Sequence, residues 1–99
     1  MVKHIVLFKF KPFENQTAKE KKLGEIKSAL LALRDKLDFL REIEVGINAN
    51  PNENFDLALT TVFDSMDDLI RYAKHPDHVA VASLIGPIRE DRACVDYIF

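Results

Sequence analysis

Two of the chain's three histidines, His75 and His78, flank Pro76, and Tyr72 lies just upstream. No other stretch sets two imidazoles beside a phenol. The residue before a proline avoids the α region, and proline itself suits the first position of a new helix. One helix must therefore stop near His75 and another start at Pro76, with His78 in its first turn. The helix macrodipole there opposes a positive charge, and burial would act in the same direction. An imidazole kept neutral near pH 7 can act as a general base, for example toward a proton next to a carbonyl. Tyr72 could donate a hydrogen bond to the oxyanion that develops. The competing reading is architectural: His78 bonds a backbone carbonyl and Tyr72 fills the core. His75 is expected to be structural, bonding free helix-end groups at the junction.

Other donor groups are sparse. His4 lies on an apolar strand face, where a histidine either completes the core or lines a pocket with His78. Three imidazoles could bind zinc, but the proline removes the regular helical pairing of His75 with His78, so neither a metal nor a cofactor is expected. The single cysteine, Cys94, excludes an internal disulfide and a cysteine-rich zinc site. It lacks an activating arrangement and reads as a small buried hydrophobe.

The elements that must position these groups follow from apolar spacing. Val2 to Phe10 carries apolar residues on both alternating sets, with His4, Val6, Phe8 and Phe10 on one face and Ile5 and Leu7 on the other. Such a strand belongs in the middle of its sheet. Thr17 to Glu20 matches a capping box. Leu23, Ile26, Leu30, Leu33 and Leu37 continue as one helical stripe. Ile43, Val45 and Ile47 alternate with polar residues as a second strand, and the asparagine-rich turn Asn48 to Asn54 leads into a third, Phe55 to Phe63, which includes Leu59. Asp64 and Ser65 cap the second helix, Gly86-Pro87 ends its continuation, and Arg92 to Phe99 forms the last strand.

The order is β-α-β-β-α-β, the ferredoxin-like α+β plan: a four-stranded antiparallel sheet with helices on one face, in a single domain spanning residues 1–99. Its other face would expose Ile5, Leu7, Ala58 and Val62. Leaving apolar area in water costs about 25 cal/mol per Å2, so a homodimer joined through the open sheet face is expected. A net charge of −2 offers no field for nucleic acid or an anionic membrane. RNA-recognition modules share the element order, but Phe55 to Phe63 lacks the glycine and basic residue of their stacking motif. No apolar run reaches the roughly 18 residues that span a bilayer, and lysines interrupt the N-terminal run, so a cytoplasmic protein is expected.

The motifs Val2-Lys3-His4-Ile5-Val6-Leu7-Phe8-Lys9-Phe10-Lys11, Phe63-Asp64-Ser65, His75-Pro76-Asp77-His78-Val79 and Val95-Asp96-Tyr97, in this order, resemble the stress-responsive dimeric α/β-barrel (Dabb) family along the whole chain. The resemblance implies ferredoxin-like homodimers whose two sheets form one barrel, mostly without an assigned reaction. It also implies a kinship with plant olivetolic acid cyclases, which close a linear polyketide thioester. On that likeness Tyr72 and His78 match the catalytic pair, and His4 faces the same pocket. Leu23 and Ile26 stand where the cyclases have larger aromatics, and Arg92 and Cys94 where they have aliphatic side chains. The expected pocket is bounded by His4, Val6, Phe8, Leu23, Ile26 and Leu59 beside Tyr72 and His78. It would hold a small apolar, carbonyl-bearing ligand, or act as a cofactor-independent cyclase-like site.

Overall fold

The first strand organises the molecule, because its neighbours on both sides are the first and last strands of the chain's second half. A computed structural model describes residues 1–99. Strand β1 (Val2–Phe10) lies between β3 (Leu57–Phe63) and β4 (Arg89–Ile98), and β2 (Glu42–Ile47) completes the order β2-β3-β1-β4. Every pairing is antiparallel. Helices α1 (Gln16–Leu31), α2 (Leu33–Lys36), α3 (Met66–Lys74) and α4 (Pro76–Ile85) connect the strands, and a 3-10 turn over Gly86–Ile88 leads into β4. This is the ferredoxin-like fold. No helix is long and apolar enough to cross a membrane.

Alternation along β1 is strict: Val2, His4, Val6, Phe8 and Phe10 are buried, and the residues between them are half-buried. The buried set joins the leucine stripe of α1 and α2, in which Leu23, Ile26, Leu30, Leu33 and Leu37 are all at most 2% exposed. Burying a large aliphatic side chain stabilises by about 1.5–3 kcal/mol, so this seam fixes α1 on the sheet. Phe63 and Tyr72 extend the same core at the other end of β1.

Several boundaries differ from the sequence expectation. Helix α1 starts two residues earlier than a Thr17 cap would allow. Asn15 is the cap, its Oδ1 accepting from the Ala18 N–H at 2.8 Å, and Glu20 instead accepts from the Gln16 side chain. Strand β3 begins at Leu57, because the Asp56 carboxylate accepts from the Phe10 N–H at 2.8 Å and pairs with Lys19 at 2.9 Å. Strand β4 begins at Arg89, since the backbone pairs with Lys9 and Phe10 beyond the point where apolar alternation starts. At the second helix start Ser65 caps as expected, accepting from the Asp68 N–H, while Asp64 forms a two-pronged pair with Arg41.

The open face carries Ile5, Leu7 and Ala58, half-buried, with Val95 and Tyr97 exposed beside them. Val62 belongs to this face by register but is already buried, so it adds nothing to the exposed patch.

Candidate functional site

The helix-facing side of β1 is where the chemistry gathers. Pro76 forces the backbone of His75 to extended geometry (φ −65°, ψ 136°), which ends α3 and starts α4. His75 caps the new helix, its Nδ1 accepting from the Asp77 N–H at 3.1 Å. The turn places His78 against the preceding helix, where its Nδ1 lies 3.1 Å from the Ala73 carbonyl oxygen. A carbonyl can only accept, so Nδ1 carries the proton and donates; Nε2 is left as the basic nitrogen. The Tyr72 ring lies beneath, 4.3 Å from that of His78 between centroids.

A cavity of about 160 Å3 separates α4 from the sheet. His4, Val6 and Phe8 of β1 and Leu59 of β3 form its floor, and His78, Ala82 and Ile85 of α4 close it from above. Leu30 supplies the α1 side, and Arg89 and Arg92 of β4 the polar rim. A larger depression, about 350 Å3, lies on the opposite side of the sheet around Leu7, Gly46, Leu57 and Ala58, away from every histidine. It is broad and has only Glu53 as a titratable group, so it offers no chemistry of its own.

Burial sets the protonation of the central pair. The His78 imidazole is held below its usual pKa first by burial, with smaller contributions from the neighbouring basic side chains His4, Arg92 and His75, while the bond to Ala73 opposes them. The Tyr72 phenol is pushed up to about 12 by burial, so it stays protonated. Its hydroxyl and that of Thr61, which faces His4 across the β1–β3 ladder, are buried without a hydrogen-bond partner. On the other side of His4 the β1–β4 register sets Asp96 opposite, and the imidazole Nδ1 contacts the Asp96 carboxylate directly. Cys94 Sγ lies 3.5 Å from the same nitrogen.

The model of the stress-responsive A/B barrel (Dabb) domain matches residues 2–99. The chain belongs to this family. A dimeric protein of unknown function and ferredoxin-like fold from Bacteroides fragilis is similar in crystal structure, with 45% identity, a TM-score of 0.92, and coverage of 99% of this chain and 95% of that one. A stress-response A/B barrel domain-containing protein of Arabidopsis thaliana is 31% identical over 99% of the chain, which spans 47% of that relative's length. The hydroxynitrile lyase of Passiflora edulis superposes with a TM-score of 0.82 over 99% of this chain and 92% of its own, but at 22% identity the likeness is one of fold alone.

Within this A/B barrel domain the residues singled out from sequence fall into two sets. His4, Val6, Phe8, Leu59 and His78 share the cavity. Leu23 and Ile26 do not line it: Ile26 is wholly enclosed in the core, and Leu23 borders a groove beside Gln16 and Asn48. Tyr72 lies behind His78, outside the lining. The three histidines do not converge as a donor cluster, whereas His4, Cys94 and Asp96 do. Cys94 is exposed rather than buried, lying on β4, an edge strand of the sheet. Asp96 was missed as a site residue. Its signal was the antiparallel pairing of the chain's two ends, which puts a carboxylate opposite the strand histidine.

Proposed function

We propose that this A/B barrel domain binds a small, apolar, carbonyl-bearing molecule in the cavity between α4, α1 and the sheet. The observation that carries the reading is a largely apolar chamber walled by His78, whose lowered pKa, free Nε2 and fixed orientation suit a polar ligand group. Size narrows the ligand. Pockets for drug-sized molecules hold about 300–1,000 Å3, so a chamber near 160 Å3 suits a compact carbonyl compound and not a long polyketide chain.

The working unit is a homodimer formed through the open sheet face. Ile5, Leu7, Val95 and Tyr97 lie together there, and the Bacteroides fragilis protein, at 45% identity, is described as dimeric. Packing the two faces together would remove this patch from water.

A second reading makes the domain a cofactor-independent, cyclase-like enzyme. His78 Nε2 would take a proton from the carbon next to a carbonyl, leaving an enolate that attacks a second carbonyl in an aldol closure. Tyr72, protonated at neutral pH, would donate to the enolate oxygen. Because Tyr72 lies behind His78, this route requires the ligand to part the two rings.

The test is an amide NMR titration of wild type and His78→Ala with small aldehydes, ketones and a short β-keto thioester. Shift changes centred on Val6, Phe8, Leu59 and Ala82, weakened by at least about ten-fold in His78→Ala, are the expected result. Changes scattered over the surface, or equal in both proteins, would overturn the binding reading. Consumption of the thioester that disappears in His78→Ala would decide for the enzyme.

A further inference from the structure

The geometry points to a zinc-class metal site formed by His4, Cys94 and Asp96. The site shares His4 with the cavity floor, but the assignment does not rest on what the cavity holds. The three donors come from two paired strands: His4 from β1, and Cys94 and Asp96, two residues apart and so on one face, from β4. His4 Nδ1, Cys94 Sγ and one Asp96 oxygen all lie within 4.8 Å of one another. Two of the spacings already fit a tetrahedral ion. With zinc–sulfur near 2.3 Å and zinc–nitrogen or –oxygen near 2.0–2.2 Å, tetrahedral donors sit about 3.5–3.6 Å apart across the sulfur. Sγ is 3.5 Å from His4 Nδ1 and 3.6 Å from Asp96 Oδ1. The third pair, imidazole and carboxylate, is in direct contact and must open to about 3.4 Å to admit the ion. Asp96 can make that movement, since its side chain is 32% exposed on the edge strand while His4 is held in place at 11%.

Donor chemistry selects the metal. One thiolate, one imidazole and one carboxylate suit a borderline ion such as zinc or cobalt(II), and the sulfur argues against magnesium and calcium. Charge also balances: a divalent ion, a thiolate, a carboxylate and a neutral imidazole sum to zero. The metal-loaded site therefore presents no net charge to the nearby Arg92 and Arg89 of β4 and His78 of α4. Binding must displace a thiol proton. Three protein donors leave one position for water or a ligand oxygen. The triad is on the helix side of the sheet, so a dimer formed through the open face would leave it uncovered.

The test titrates the purified chain, residues 1–99, with cobalt(II) and then zinc, thiols being kept reduced by a phosphine. One cobalt per chain, with a thiolate-to-cobalt charge-transfer absorption that zinc abolishes, is expected. Cys94→Ser should lose that absorption, and Asp96→Asn should weaken binding by about ten-fold or more. Both positions are exposed, so neither variant threatens folding. His75→Ala, which alters a histidine outside the triad, should bind as wild type. Absence of the charge-transfer band at stoichiometric cobalt, or equal zinc affinity in wild type and Cys94→Ser, would overturn the assignment.

Discussion

The Tyr72 and His78 rings meet at 4.3 Å between centroids and 48° between planes, although the two residues belong to different helices. Pro76 creates this contact by ending α3 and turning α4 back over the tyrosine. The bond from His78 to the Ala73 carbonyl then fixes the ring at the cavity wall. The architectural and functional readings of His78 are thus compatible: Nδ1 serves the backbone while Nε2 stays free. Such a pair makes distinct predictions for stability and for binding.

Tyr72→Phe should stabilise the protein by about 1 kcal/mol, because a buried hydroxyl without a partner costs about 1–3 kcal/mol. Urea unfolding of both proteins reads this directly. A stabilised variant that has also lost thioester turnover would identify the hydroxyl as a group kept for chemistry. A destabilised one would show that the hydroxyl has a partner in solution.

His78 should make stability depend on pH in a defined window. Its folded pKa is depressed below the ordinary 6.5. Between the folded value and 6.5 the unfolded chain binds the extra proton, so stability rises with pH through that window. The contribution is complete above about pH 6.5 and is lost as the pH falls toward the folded pKa. His78→Gln should flatten the dependence of the thermal midpoint below the ordinary imidazole value of 6.5. An imidazole NMR midpoint at or above 6.5 would contradict the depressed pKa.

The sequence made the scaffold legible where a single physical cause decided the structure. Apolar residues on both faces marked β1 as a central strand, the leucine spacing marked the buried stripe through Leu37, and Pro76 marked the helix break. It misled where two residues had equal claims. Asn15 and Thr17 both suit a cap, and only the position of the first helical turn on the sheet decides between them. The charged start of β4, Arg89-Glu90-Asp91, has no apolar rhythm, and backbone pairing with β1 alone reveals it. The cluster of His4, Cys94 and Asp96 was hidden because it joins the first and last strands. Leu23 and Ile26 went astray for a related reason: spacing shows that a helix face is buried, not whether it meets solid core or a void.

Ile26 tests that distinction. Fully enclosed and outside the cavity lining, it should behave as core, with Ile26→Ala costing about 2–5 kcal/mol. Small carbonyl compounds should bind the surviving folded fraction with affinity close to wild type. Calorimetric unfolding with a parallel binding titration separates the two effects. A large loss of affinity with little loss of stability would put Ile26 back at the site.

The open face of the sheet makes the last prediction. Leu7 projects from the middle strand there, between Ala58 and Ala93, with Val95 and Tyr97 on the neighbouring strand. Leu7→Glu would place a charge at the centre of the proposed dimer contact, where desolvation without a partner is costly. In a single chain the same side chain is half-buried and can turn its carboxylate to water. Sedimentation velocity should therefore show wild type as a dimer and Leu7→Glu as a monomer. The wild-type thermal midpoint should rise with protein concentration while the variant's does not. A wild-type monomer at all concentrations, or a Leu7→Glu dimer as tight as wild type, would locate the contact on another surface.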